Sequence, residues 1–468
     1  MELPTRSLVL RVCQFRHDRI NGFYYSLMFF VCQLILSHFL KILKIFLGTS
    51  KNRVKIRFFS QTAYMQNILH QAKTLQPTLI NHRRFLHSRA ETGFDVVQTQ
   101  AYIMQELQQL GCTPTQCGKG GVIAVIGGGR YATNKEEALL LRADIDALPI
   151  KEKTGKPYAC KTGNMHACGH DMHTAMLLGA AAILKNREKE LTRPVKLFFQ
   201  PAEELLQGAK QAVQAGVLQN PAVRCAAMIH VLTDVELPTG TLIVSSQGMS
   251  APAADYFTVT VHGKSCHGSS PQNGVDALQA AAHILIALQT LSAREFSVHE
   301  PFVLTVGKMQ SGVAANALPE YAQMQGTLRA FDEDVRQRVK KRLCEIAKTT
   351  AKTFRASART TFDSGAPTLV NDGGMSAFTG EALREIFGEK QVLFSGDLGG
   401  GVKKSNGGSE DFAYISHAVP SVMLALAAGE RSKGFAYPLH HSKTDFDENA
   451  LYVGSAAFAQ IALSYAKK

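Results

Sequence analysis

The sequence predicts an α/β protein of two domains, a mostly parallel sheet with helices on both faces, interrupted by an inserted ferredoxin-like α+β unit. Three observations predict it. At 468 residues the chain exceeds the roughly 250–300 residues at which a single hydrophobic core stops growing. Short β-rich runs alternate with helical ones over most of its length, the mark of a sheet covered on both faces. One stretch, from about residue 253 to 363, breaks that alternation with an order of its own, β-α-β-β-α-β.

Taken in order, the first element is a basic, apolar head. Residues 1–64 hold ten Lys/Arg against only Glu2 and Asp18, so +8 of the net +13 belongs to them. Residues 20–40, INGFYYSLMFFVCQLILSHFL, carry no formal charge and approach the roughly 20 apolar residues a membrane-spanning helix needs. A basic stretch, KNRVKIR, follows, as it would behind an anchor. Asn21, Ser26, Gln33, Ser37 and His38 interrupt the apolar run, and no small-residue cleavage site of the secretory kind follows. The reading we prefer is an atypical extension ahead of a protein that begins near Met65, with a membrane anchor at 20–40 as the alternative.

Only +5 remains for the other residues, with no arginine-rich stripe and interleaved aromatics, which argues against a nucleic-acid partner. The nine cysteines are odd in number and lack Cys-x-x-Cys spacing, which argues against a disulfide framework and for a reducing, cytoplasmic setting.

Beyond the head, VVQTQAYIMQELQQL (96–110) has helical periodicity and stops at Gly111, a natural helix terminator. GVIAVIG (121–127), EALLLRADID (137–146), VKLFFQ (195–200) and AAMIHV (226–231) read as strands, and TAMLLGAAAILKN (174–186) as a helix. Gly127, Gly129 and Ala132 fit a relaxed dinucleotide-binding pattern, but TNKEEALLLRADI reads as a turn into another strand. A phosphate-binding turn must open a helix, so the hairpin reading is preferred. In the insert, YFTVTVHG, FVLTVGKM, YAQMQGTLRA and ARTTFD read as strands around helices at 277–293 and 335–354. The larger domain is thereby discontinuous, 65–250 and 364–468, around a lid at 251–363; runs at 412–429 and 449–466 return to it with further strand and helix.

The chemistry concentrates in MHACGHDMH (165–173). Cys168 and His170, two apart, would share one side of an extended segment and could converge on one ion. Alone, that spacing describes a turn with a buried thiol equally well. In QPAEE, Glu203 and Glu204 follow a strand end, where open α/β sheets place ligands; the bland reading is an acidic first helical turn. His230 ends another strand-like run, and His440 and His441 lie in a late loop. A lone histidine at a strand end is more often structural. Several segments each delivering a metal-type ligand is a pattern chance seldom makes.

RADIDALP, MHACGHDMHT, QPAEE, IHV, GKSCHGSSP, GVAANALPEYAQMQGTLR, GSEDFAY and LHHSKTDFDENAL, in order from about residue 65 to the C-terminus, resemble the amidohydrolase branch of the aminoacylase and carboxypeptidase metalloenzymes. That branch includes hippurate hydrolases, N-acyl-amino-acid amidohydrolases, N-acetyldiaminopimelate deacetylases and auxin-conjugate hydrolases. The resemblance implies a zinc-exopeptidase-like catalytic domain with a dimerisation-type lid, through which two copies could associate. It implies Cys168, His170, Glu204, His230 and His440 as metal ligands, with Cys168 bridging, and Glu203 as general base. His267 stands where the family polarises the scissile carbonyl, delivered by lid closure, and Asn316 and Arg329 where it holds the substrate carboxylate. His440 rather than His441 aligns with the ligand, counted back from Asp445.

The implied cofactors are two divalent ions per chain, zinc or manganese first, nickel or cobalt as alternatives, and the implied partner is a small N-acyl amino acid. HSRAETGF near residue 87 and HVLTD after His230 depart from the family's usual forms, which bears on the shape of the pocket. Rival readings are a cysteine hydrolase with Cys168 as nucleophile and a non-catalytic binding protein. Within the same site, a diaminopimelate deacetylase or small-peptide exopeptidase is the alternative.

Overall fold

In the computed structural model, which describes residues 68–127, 137–401 and 408–467, two helices, α1 (Gln76–His87) and α2 (Val97–Gln109), lead into the first strands. These are β1 (Thr115–Cys117), β2 (Gly121–Ile126) and β3 (Ala138–Asp144). The head, with its 20–40 segment, and the turn after Gly127 lie outside the described residues. The chain then runs through α3 (His170–Asn186), β4 (Val195–Gln200), α4 (Gly208–Gln214), β5 (Val223–Leu232), β6 (Leu242–Val244) and β7 (Gly248–Ala251).

Next comes the inserted unit: β8 (Ala253–His262), β9 (Cys266–His267), α5 (Ala277–Leu288), β10 (Phe302–Ser311), β11 (Ala317–Leu318), β12 (Tyr321–Ala330), α6 (Glu333–Thr353) and β13 (Ser357–Ala366). The return is β14 (Leu369–Asn371), α7 (Gly373–Phe387), β15 (Val392–Phe394), α8 (Ala413–Ser416), β16 (Ser421–Ala427) and α9 (Leu451–Tyr465).

The large sheet has the order β1-β2-β4-β3-β5-β16-β6-β15. Its central strands β4, β3, β5 and β16 run parallel, and antiparallel pairs occur at β1-β2, β2-β4 and β16-β6. β3 and β4 are buried along their whole length, as parallel strands covered on both faces must be. On one face lie α3 and α9, both apolar nearly all round and buried to match, the pattern of helices with no solvent side. They approach closely at Gly179, where a Cβ would fall 2.4 Å from Ser455 Oγ. On the other face, Phe198 of β4 packs in one cluster with Ala209 and Ala212 of α4 and Ile415 of α8. Among the described residues no helix is long and apolar enough to cross a membrane.

The insert forms its own four-stranded antiparallel sheet, order β10-β12-β8-β13, with α5 and α6 sharing a core that includes Phe257, Ile284, Met324, Val339 and Leu343. Both helices start on an aspartate whose side chain accepts a backbone N–H of the first turn, Asp276 from Gln279 and Asp332 from Val335, satisfying donors that a helix start leaves free. The ribbon β9-β11 hangs from this sheet. At the junction, β7 entering and β14 leaving pair antiparallel, so the two connections cross as a short double strand.

Candidate metal centre

The centre lies where the central parallel strands end, because there the loops of neighbouring strands converge. β3 leads through Asp144 to Asp146, β4 leads to Glu203 and Glu204, and β5 carries His230 near its end. Ala202, at φ +57, makes the turn that presents the two glutamates.

Cys168 and His170 come together differently from the extended segment the spacing suggests. Gly169 takes φ +85 and ψ +20 as the residue preceding α3, and His170 is already helical. A Cβ on Gly169 would lie 2.4 Å from Val231 Cγ2 and 2.9 Å from Phe446 Cζ, so both conformation and space demand glycine here. His440 arrives from the far end of the chain at φ +64, and its N–H donates to the Ala167 carbonyl at 2.9 Å. A non-glycine residue in that region costs on the order of 1 kcal/mol or more and persists where its surroundings enforce it.

These turns gather all five expected ligands. Cys168 Sγ is 3.5 Å from His230 Nε2. Glu204 Oε1 is 3.4 Å from His440 Nε2 and 3.9 Å from His170 Nε2. The ligand atoms of Cys168, His170 and His230 lie within 4.8 Å of one another, and so do those of Cys168, Glu204 and His440. Cys168 belongs to both groups, the position a thiolate between two ions would take. His170 Nδ1 donates to the Asp146 carbonyl and His230 Nδ1 to the Val231 carbonyl, each at 2.8 Å. Both rings are thereby fixed with Nε2 free to coordinate, as metal-binding histidines are. His170 Nε2 and Glu204 Oε1 are buried without a hydrogen-bond partner, a costly arrangement for polar atoms unless a cation completes it. The donor set of thiol, imidazole and carboxylate fits a divalent transition ion. His441, by contrast, stacks its ring on Tyr437 at 4.7 Å and accepts the Lys443 N–H at Nδ1.

Burial, with Glu204 adding to it, pushes the Cys168 thiol up to about 12. A nucleophilic cysteine requires the reverse, a depressed value; a metal ligand does not, because a bound cation removes the proton. Glu203 is raised well above the ordinary carboxylate range by burial and then by Glu410, Glu204 and Asp411.

Several residues without a named role in the sequence reading build this site. The buried Asp146 carboxylate accepts the backbone N–H groups of Glu203 at 3.0 Å and Glu204 at 3.3 Å. His173 donates from Nδ1 to Asp144 at 2.5 Å and accepts the Val231 N–H at Nε2, 2.8 Å away, so neither nitrogen is open to a metal. Burial lowers it to about 4. Arg142, fully buried, is surrounded by Asp144, Glu410 and Asp411. The available signal was that Arg142, Asp144 and Asp146 place charges at every second position of an otherwise apolar run, hence on one face of a strand. Below the site, Asp171 accepts from Arg83 Nε at 3.2 Å and from His87 at 2.9 Å, and His87 also meets Glu152 at 3.2 Å.

The candidate residues of the insert are separated. His267 and Asn316 adjoin across the β9-β11 ribbon, where the Gly268 N–H donates to the Asn316 carbonyl at 2.7 Å. Arg329 pairs with Ala254 at the opposite end of the sheet. Ala254 packs with Leu206 and Ala366, so the Arg329 end adjoins the Glu203–Glu204 turn. The other end, where His262 pairs with Tyr321, is eight residues along β8 from Ala254, roughly 26 Å at about 3.3 Å per residue. Closing about the β7-β14 junction preserves that distance. That length of strand separates the Arg329 end of the sheet from the end that leads into the His267 ribbon.

Comparison with known proteins places these features in context. Residues 140–464 match the model of peptidase family M20/M25/M40. The chain is 35% identical over 385 residues to the N-acetyl-L-cysteine deacetylase of Bacillus subtilis (strain 168), covering 82% of this chain and 86% of that protein. It is 29% identical to the hippurate hydrolase of Campylobacter jejuni, covering 86% of this chain and all of the other. Among solved structures it resembles the Bacillus subtilis YXEP protein, a dinuclear metal-binding peptidase from the M20 family, with a TM-score of 0.66, 31% identity and coverage of 84% of this chain and 99% of that one.

Proposed function

The chain belongs to peptidase family M20/M25/M40, the metal-dependent amidohydrolases its motifs resemble, and on that premise we propose that it hydrolyses the amide bond of N-acyl amino acids at a two-metal centre. The observation that carries the proposal is that Cys168 belongs to two ligand groups at once, with the Glu203 carboxylate beside His170 and Glu204. Similar proteins named for N-acetylcysteine and for hippurate support small N-acyl amino acids, with either an acetyl or a benzoyl acyl group, as the substrate class. The seven cysteines among the described residues are all free, which supports a reducing, cytoplasmic setting.

Cys168, His170, Glu204, His230 and His440 would hold two divalent ions, zinc or manganese first. Bound there, such a pair acidifies a water toward a pKa of roughly 7 and polarises a carbonyl. Glu203 accepts a proton from the attacking water and returns it to the leaving amine, the work of a general base and then acid. The carboxylate of the substrate falls to Arg329 at the near end of the lid sheet. His267 donates to the developing oxyanion from the lid of a second copy, a placement that the roughly 26 Å of strand between Ala254 and His262 supports, and Asn316, which adjoins it on the same ribbon, holds the substrate carboxylate beside Arg329.

The test is an assay of N-acetyl, N-benzoyl and N-indoleacetyl amino acids alongside dipeptides and N-acetyldiaminopimelate, with the protein stripped by chelator and reloaded with single metals. Hydrolysis of N-acyl amino acids that vanishes on stripping and returns on reloading is expected. Hydrolysis that survives full metal removal would end the proposal, and a preference for dipeptides or N-acetyldiaminopimelate would redirect it.

A further inference from the structure

The Glu203 carboxylate takes part in no described hydrogen bond; His170 Nε2 lies 3.9 Å from its Oε2, and the other ionisable groups around it include the acids Glu204, Glu410 and Asp411. Arg142 Nε donates to Gln200 Oε1 at 3.0 Å, Nη1 to Asp144 Oδ2 at 2.8 Å and Glu410 Oε2 at 3.2 Å, and Nη2 to Glu410 Oε1 at 2.9 Å and Asp411 Oδ1 at 3.3 Å. Glu410 Oε1 also accepts the Phe412 N–H at 2.9 Å. Asp411 accepts from Gln200 Nε2 at 2.6 Å and from the Ala209 N–H at 2.8 Å. Asp144 and Asp411 alone would pair Arg142. Glu410 is thus a further buried carboxylate beyond what the cation requires, and burying such a charge is unfavourable unless something uses it. Oxygens of Glu410, Asp411 and Glu203 all lie within 4.8 Å of one another.

We propose that Glu410, locked in place by the Arg142 fork, is a positioning residue that fixes the Glu203 carboxylate for proton transfer; the inference rests on the reading of Glu203 as general base. A carboxylate with no donor of its own can swing, and a misplacement of about 1 Å can cost on the order of 10²-fold in rate. The anchored negative charge of Glu410 makes part of that swing unfavourable and narrows the places open to Glu203. In the step served, an O–H bond of water breaks as one forms on Glu203, and that bond breaks again as an N–H forms on the leaving amine.

Glu410→Gln, Glu410→Asp and Glu203→Gln are compared with the unaltered protein in metal content, KM and kcat on an N-acetyl amino acid that it hydrolyses. Glu410→Gln should keep its metal content and its KM while kcat falls about 10–100-fold. Glu410→Asp, which keeps the charge but draws it back by one methylene, should lose kcat by a smaller factor, about threefold or more; it decides the matter if the glutamine variant does not fold. An unchanged kcat per metal-loaded site overturns the inference, as does a loss confined to KM or to metal content. Full activity in Glu203→Gln would remove the base reading and this inference together. An inactive Glu203→Gln beside a normal Glu410 variant removes this inference alone.

Discussion

Asp146 accepts two consecutive backbone N–H groups, those of Glu203 and Glu204, while its own carbonyl takes the His170 Nδ1 proton. One fully buried residue thereby orients the base and two ligands. Asp146→Ala would leave two buried donors unpaired, at roughly 1–3 kcal/mol each, and would loosen ligands whose outer contacts are worth about 10–100-fold in metal affinity. Urea unfolding of the metal-free protein together with metal titration checks this; unchanged values in both would show that the loop holds itself. Cys168, His170, Glu203, Glu204, His230 and His440 were legible because their side-chain type carries the chemistry. Asp146 was not, because its contribution runs through main-chain groups whose position exists only once β3 and β4 lie side by side. His173 shows the converse: a histidine three residues from the ligand His170 can be wholly occupied by Asp144 and Val231.

Long elements were legible and short ones were not, for a common reason. The lid's β-α-β-β-α-β order follows from strands and helices of ten or more residues, long enough to show a period of two or 3.6. β6, β7, β9, β11, β14 and β15 have two to four residues and show no period at all, yet they make one edge of the large sheet, the junction to the insert and the His267 ribbon. The start of α3 was likewise hidden, since three of its four leading residues are polar and only Gly169 marks the turn. At that helix start, His87 of α1 bridges Asp171 and Glu152. Burial alone would lower His87, but its hydrogen bonds to Asp171 and Glu152 raise it from 6.5 to about 9. A group raised on folding stabilises fully below its unfolded value and loses that contribution as pH climbs through the folded one. The His87 contribution, on the order of 3 kcal/mol, should therefore be complete below about pH 6.5 and gone above about pH 9. Denaturant unfolding between those limits should show stability falling with pH in the unaltered protein and a shallower fall in His87→Asn. Equal slopes would mean that the bridge between α1 and α3 is not ionic.

At the scale of the whole molecule the question is how many copies make one site. The alternating run of strands and helices was enough to read a sheet domain with an inserted lid, and the family motifs were enough to name His267, Asn316 and Arg329, but neither says which copy supplies which residue. Strand length does speak to it. Arg329 stands beside Ala254 at the end of the sheet that packs on Leu206, and the other end, from which the chain leaves at His262 for the His267 ribbon, is roughly 26 Å of strand away. If His267 works on a second copy's substrate, two inactive variants should repair each other. Glu203→Gln spoils the catalytic domain and leaves the lid intact; His267→Ala does the opposite. In a two-fold dimer of one of each, the site with a sound Glu203 faces the sound His267, and random pairing restores roughly a quarter of the normal sites. The variants are unfolded and refolded together in equal amounts, with each refolded alone as the control, and activity is measured per metal-loaded chain. Should the mixture stay as inactive as its parents while dimers form, His267 acts within its own chain or not at all, and the lid of the second copy has no part in the chemistry.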